Sequence, residues 1–131
     1  MFNVNNVTEI RKAYQAAIKT VVDRVFYDDS PPDTTPYPFV VFELFDSTAD
    51  GSATEVFDLY IDGWDNDSDT TVLEGIMFDI TNLIDKQLYS DVSGELSFRA
   101  ELEKKMLIRD PDVQLKHRQY RFTVRSIQRR S

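Results

Sequence analysis

The hydrophobic period of this chain changes abruptly between residues 55 and 88. In EVFDLYIDGW (55–64), Phe57, Leu59 and Ile61 alternate with Asp58, Tyr60 and Asp62. A period of two describes a strand with one apolar face. In TVLEGIMFDITNLIDKQL (71–88), Val72, Leu73, Ile76, Met77, Ile80, Leu83, Ile84 and Leu88 form a continuous stripe at helical spacing. A one-faced strand followed at once by a one-faced helix must bury both faces in a layered α+β arrangement.

The break between them, WDNDSD, places Asp65, Asp67 and Asp69 beside the only tryptophan, Trp64. A calcium loop starting at Asp65 needs glycine at its sixth position and glutamate at its twelfth, and the chain has Thr70 and Ile76 there. A start at Asp67 puts Val72 and Phe78 in those places. Asp58 and Asp62 share a strand face but stand roughly 13 Å apart at strand rise, too far for a carboxylate pair on their own. The lone histidine, His117, has no nucleophile pattern around it, and no phosphate loop, dinucleotide fingerprint or zinc motif is present. The aspartates therefore read as an acidic helix entry, favoured by the positive end of the helix dipole. Thr71 and Glu74 have capping-box spacing. Trp64 either closes the core or lies at an interface.

The remaining segments extend the pattern. VTEIRKAYQAAIKTVVD (7–23) reads as a helix, with Val7, Ile10, Tyr14, Ala17, Ile18, Val21 and Val22 near one face. RVFY (24–27) adds a short extended piece, and four prolines make 28–38 a loop. PFVVFELF (38–45) reads as a buried strand, joined to 55–64 through polar DSTADGSA as an antiparallel hairpin. In 96–108, Leu96, Phe98, Ala100, Leu102, Met106 and Ile108 share parity, broken by Lys104; in 117–127, Tyr120, Phe122 and Val124 do. RDPDVQLK (109–116) joins these two as a turn or arm. The expected fold is one α+β domain over 1–131, a mainly antiparallel four- or five-stranded sheet packed against two helices, in the order α-β-β-α-β-β. No internal sequence repeat is visible.

With 131 residues and 41% hydrophobic content, the chain has material for one core. It has no cysteine, which removes thiol catalysis and thiolate metal sites. No basic-then-apolar leader and no membrane-length apolar run is expected. Residues 1–98 carry 5 basic and 19 acidic side chains, a net of −14; residues 99–131 carry 10 basic and 4 acidic, a net of +6. The two parts either neutralise each other within one molecule or attract neighbouring copies. The overall net charge of −8 argues against nonspecific nucleic-acid binding.

The order of PYPFVVFEL (36–44), DLYIDGWDND (58–67) and the helix TTVLEGIMFDITNLIDKQL resembles the tail completion, tail-to-head joining (tail terminator) proteins of long-tailed siphophages, related to the lambda-like minor tail protein U. The resemblance implies a non-enzymatic virion protein without cofactors. It implies a ring, usually a hexamer, on the head-proximal end of the tail tube. Such a ring ends tube polymerisation and docks the head connector, with DNA passing through without specific binding. The implied partners are other copies, the tail tube protein and a head completion protein, at the head–tail interface of a virion assembled in the host cytoplasm. A head-side joining component and a generic protein-binding module are the alternatives. The family carries no catalytic or metal residues to transfer. The charge pattern selects Asp46, Asp50 and Glu55 at the first hairpin and Arg109, Lys116 and Arg118 around the second as contact residues.

Overall fold

The computed structural model describes residues 4–28, 31, 35–46, 54–91, 94–112 and 114–128. The elements are α1 (Val4–Lys19), β1 (Val25–Tyr27), β2 (Phe39–Asp46), β3 (Thr54–Asp65), α2 (Thr71–Ile84), β4 (Leu88–Ser90), β5 (Leu96–Arg109) and β6 (Lys116–Gln128). They form a six-stranded sheet in the order β1-β2-β3-β6-β5-β4. This corrects the expected four- or five-stranded antiparallel sheet: the order is α-β-β-β-α-β-β-β, and β1 pairs parallel to β2.

The added strands are β1 and β4, of three residues each. Such segments are too short to show a period, and only pairing makes them strands. Val40 N donates to Arg24 O and Asp28 N to Phe42 O, both at 2.9 Å, which locks β1 against β2. At the other edge, β4 replaces the last turn expected of the second helix. Lys86 N donates to Ala100 O at 2.7 Å, and the Asp85 carboxylate accepts the Leu102 N–H at 2.8 Å. β5 thus captures the chain one residue past Ile84, leaving Leu88 74% exposed rather than in the helical stripe.

The first helix also stops early, at Lys19. Thr20 Oγ1 donates back to Ala17 O, and the amides of Val21 and Val22 both close on Ile18 O. Val22 still reaches the core. Both helices lie on one face of the sheet. Ile10, Tyr14 and Ile18 of α1 and Leu73, Met77, Ile80 and Ile84 of α2 are buried with Phe57, Leu59, Ile61, Phe98, Tyr120, Phe122 and Val124 of the strands. Tyr14 packs edge-on against Phe98 at 5.3 Å between centroids, and Tyr89 stacks on the same ring.

A register shift between Leu102 and Lys104 corrects the parity expected along 96–108. Up to Leu102, even-numbered residues face the helices. Beyond the bulge, Lys105 lies opposite Tyr120 and its ammonium sits 5.3 Å over that ring, while Met106 and Ile108 turn to the opposite face.

Gly63 is where α2 crosses β3. A Cβ there would lie 2.8 Å from Met77 Sδ and 3.0 Å from Leu73 Cδ1. Gly63→Val is expected to destabilise the fold by about 1–3 kcal/mol through overpacking, measured by chemical denaturation. The cap of α2 departs from the capping box. Thr70 makes no side-chain cap bond, and Glu74 is spent on Arg118. The Asp69 carboxylate instead accepts from Thr71 N and Thr71 Oγ1, which holds its pKa below the usual carboxylate range. Asp69→Ala is therefore expected to lower the denaturation midpoint more than Thr71→Ala, which leaves the backbone bond in place.

Candidate functional site

Strand alternation leaves the second face of the sheet uncovered by either helix. On β2 it carries Phe39, Val41, Glu43 and Phe45; on β3, Val56, Asp58, Tyr60, Asp62 and Trp64. On β6 it carries His117, Gln119, Arg121, Thr123, Arg125 and Ile127; on β5, Arg99, Glu101, Lys104, Met106 and Ile108. Two features organise it.

The first is an aromatic row at one end. Tyr37 packs on Phe39 with centroids 5.2 Å apart, Phe39 stacks on Trp64 at 6.4 Å, and Trp64 stacks on His117 at 3.7 Å and 16°. Beneath it lies a polar hub. Asp62 Oδ1 accepts from His117 Nε2 at 2.6 Å and from Gln119 Nε2 at 3.0 Å, and Arg121 Nε donates to Gln119 Oε1 at 2.8 Å. The Asp62 and His117 side chains are only 13% and 10% exposed. Trp64 is thus half-buried on the uncovered face, outside the core beneath the helices. His117 gives Nε2 to Asp62 and a ring face to Trp64, so the pair clamps β6 to β3 rather than presenting an open base. Tyr37, Phe39 and Trp64 of this row, with Asp28, Glu43, Asp62, Leu115 and Gln119, line an open groove.

The second feature is a division of charge across the strands. Asp28, Glu43, Asp58 and Asp62 lie on the β1–β3 side. Partial burial and the neighbouring Asp28 and Asp62 carboxylates raise the Glu43 pKa above its ordinary value. On the β5–β6 side, Arg99 stands directly opposite Arg125, and Lys104 directly opposite Arg121. Arg121 stacks over Tyr60 at 4.6 Å, and Phe45 meets the same ring edge-on.

The six residues selected from sequence fall elsewhere. β3 is antiparallel to both β2 and β6, so the Asp46 and Thr54 ends of β2 and β3 lie at the opposite end of the sheet from Arg109 and Lys116. Asp46 ends β2, and Asp50 lies outside the described residues. Glu55 faces the helices and accepts from Asn6 Nδ2 at 2.9 Å. Arg109 and Lys116 are paired across the second turn, and Lys116 is also opposite Asp65. Arg118 is ion-paired with Glu74 of α2. The structure therefore brings together Arg109 and Lys116, and commits Glu55 and Arg118 to contacts within the chain.

Sequence reasoning missed the Asp62–His117–Trp64 cluster. The distance argument compared Asp62 only with Asp58 on its own strand. The relevant neighbour comes from β6, where His117 is opposite Trp64. The signal was the β3–β6 register, which one strand's pattern does not contain.

No family model matches the chain, and no curated protein matches it. Among solved structures, it shares its fold with a chain described as the virion of a native gene transfer agent particle. The TM-score is 0.67 at 12% identity, covering 97% of this chain and 99% of that one. A second solved chain matches at TM-score 0.57 and 10% identity, covering 95% of this chain and 96% of the other.

His117→Ala would strip one face of Trp64 and leave the half-buried Asp62 carboxylate with Gln119 alone. The expected outcome is a loss of about 1–3 kcal/mol in denaturation and faster acrylamide quenching of Trp64 fluorescence.

Proposed function

We propose that this chain is a structural virion protein that closes the head-proximal end of a phage tail tube as a ring, a hexamer, and offers the head connector its docking surface. The observation that carries this is the fold shared with a gene transfer agent virion chain over nearly the full length of both. The sequence resemblance to tail terminator proteins points the same way and supplies the finer role. The work of such a protein is contact rather than chemistry, and the one histidine is engaged in a clamp between strands.

The sheet suits a joining protein because its two ends are different surfaces. One end holds Asp46 and Thr54, where β2 ends and β3 begins. The other holds the turn between Arg109 and Lys116, beside the acidic loop after Asp65. A ring seated between a tube and a connector needs two unlike axial surfaces, and we assign the two ends to them. Asp46, Asp50, Arg109 and Lys116 are the contact candidates; Glu55 and Arg118 support the framework. DNA passing through the ring meets a protein of net charge −8, which disfavours retention.

Mixing the purified protein with uncapped tail tubes, and separately with filled heads, tests this by negative-stain microscopy. The expected result is ring density on one end of each tube and no further tube growth. Binding to heads alone would make it a head-side joining component. Binding to neither would overturn the assignment.

A further inference from the structure

The uncovered face carries more than a joining role requires. Arg99, Lys104 and Arg125 form no ion pair among the described residues. Arg99 and Arg125 oppose each other across β5 and β6, as do Lys104 and Arg121. Like charges directly opposite destabilise a strand pair, so these two pairs, on either side of Glu101 opposite Thr123, are a cost to the isolated fold. The β1–β3 side has the converse problem. Asp28, Glu43 and Asp62 crowd one groove, and Asp58 follows on the same face. Of the four, Asp62 is held by polar side chains, His117 and Gln119.

Arg99 and Lys104 on β5 are remote from the acidic row: they stand two strands from Asp58 and three from Glu43, roughly 10 and 14 Å at ordinary strand spacing. Arg125 on β6 is diagonal to Asp58 across the β3–β6 pair, yet forms no ion pair with it among the described residues. Bare apolar side chains flank the charges: Phe45, opposite Asp58, is 38% exposed, and Ile127, near the end of β6, is 56% exposed. The groove side adds Phe39, Val41 and Trp64, and Tyr37 stands over it.

We propose that this face is a self-association surface, in which the acidic and aromatic β1–β3 half of one copy seats on the basic β5–β6 half of another. The assignment rests on the ring reading and names the lateral contact within the ring. A second copy is the occupant because one sequence presents both halves of a complementary pair on one uncovered face. Guanidinium groups of Arg99 and Arg125 suit the groove: they pair with carboxylates and stack on aromatic rings. The charges set orientation, and the aromatic groove side with exposed Phe45 and Ile127 supplies contact area. This contact lies on the sheet face, so the two ends remain available for axial partners.

The test uses two charge-reversed full-length variants, Arg99→Glu/Arg125→Glu and Glu43→Lys/Asp58→Lys. Sedimentation velocity at low salt measures self-association with and without tail tubes, and circular dichroism checks folding. Wild type is expected to associate, each variant alone to associate at least tenfold more weakly, and an equimolar mixture of the two to regain wild-type association. The regain is diagnostic, because general damage to either variant does not cancel on mixing. Should a reversal unfold the chain, Arg99→Gln/Arg125→Gln serves in its place. It removes the opposed cations, so it is expected to melt higher than wild type while associating more weakly. Variants that associate and cap tubes as wild type would overturn this surface and leave the ring intact. Folded variants that stay apart on mixing would also overturn it. A wild type that remains monomeric at all concentrations and on tubes would overturn both.

Discussion

The antiparallel pairing of β3 with β6 is the interaction on which the rest of this structure depends. It runs the full length of β3, from Thr54 opposite Ile127 to Asp65 opposite Lys116. It joins two halves that each read helix then three strands: α1-β1-β2-β3 and α2-β4-β5-β6. The spatial order β1-β2-β3-β6-β5-β4 places these halves back to back about the β3–β6 seam. The symmetry is one of architecture, since β1 joins its sheet parallel and β4 antiparallel. Without the seam, neither three-stranded half has an adequate second layer or a complete core.

The seam also decides what each face of the sheet does. On one side it sets Phe57, Leu59 and Ile61 beside Tyr120, Phe122 and Val124, a continuous apolar floor for both helices. Gly63 lets Met77 and Leu73 descend onto that floor. On the other side the same register sets Trp64 against His117 and Asp62 against the His117 and Gln119 side chains. One alternation thus makes a dry layer and a mixed, partly open layer from the same strands. The two sequence halves also differ in charge, so the mixed layer is acidic and aromatic on one flank and basic on the other.

Much of the fold was legible because its signals are local. The stripe in α2, the alternation in β3 and the proline-rich break before β2 follow from side-chain spacing and fixed backbone angles. The four long strands appear within a residue or so of their expected bounds. What was not legible depended on partners. β1 and β4 are strands only because β2 and β5 lie beside them. The second helix ends at Ile84 because Asp85 and Lys86 are captured by β5, against a stripe that continued to Leu88. The bulge after Leu102 exchanges the faces of Met106 and Ile108, and a parity count has no means of registering the shift. Glu74 looked like a capping residue and became the partner of Arg118, while Asp69 took over the cap.

By itself, the sequence determined local properties: which segments carry one apolar face, where the chain breaks, and that acidic and basic residues are unevenly distributed. Those properties reside in neighbouring residues and need no knowledge of the rest of the chain. Tertiary structure alone decided the sheet order, the register at the seam and hence which polar residues meet. His117 was an isolated histidine in the sequence and became the clamp on Asp62 and Trp64. The basic third, which the sequence set apart, lies partly beside acidic partners: Lys116 opposite Asp65, and Arg118 on Glu74. The physical reason is that a strand fixes only the alternation of its own side chains. Which residue stands opposite is set by a partner strand more than fifty residues away, through hydrogen bonds common to every sequence.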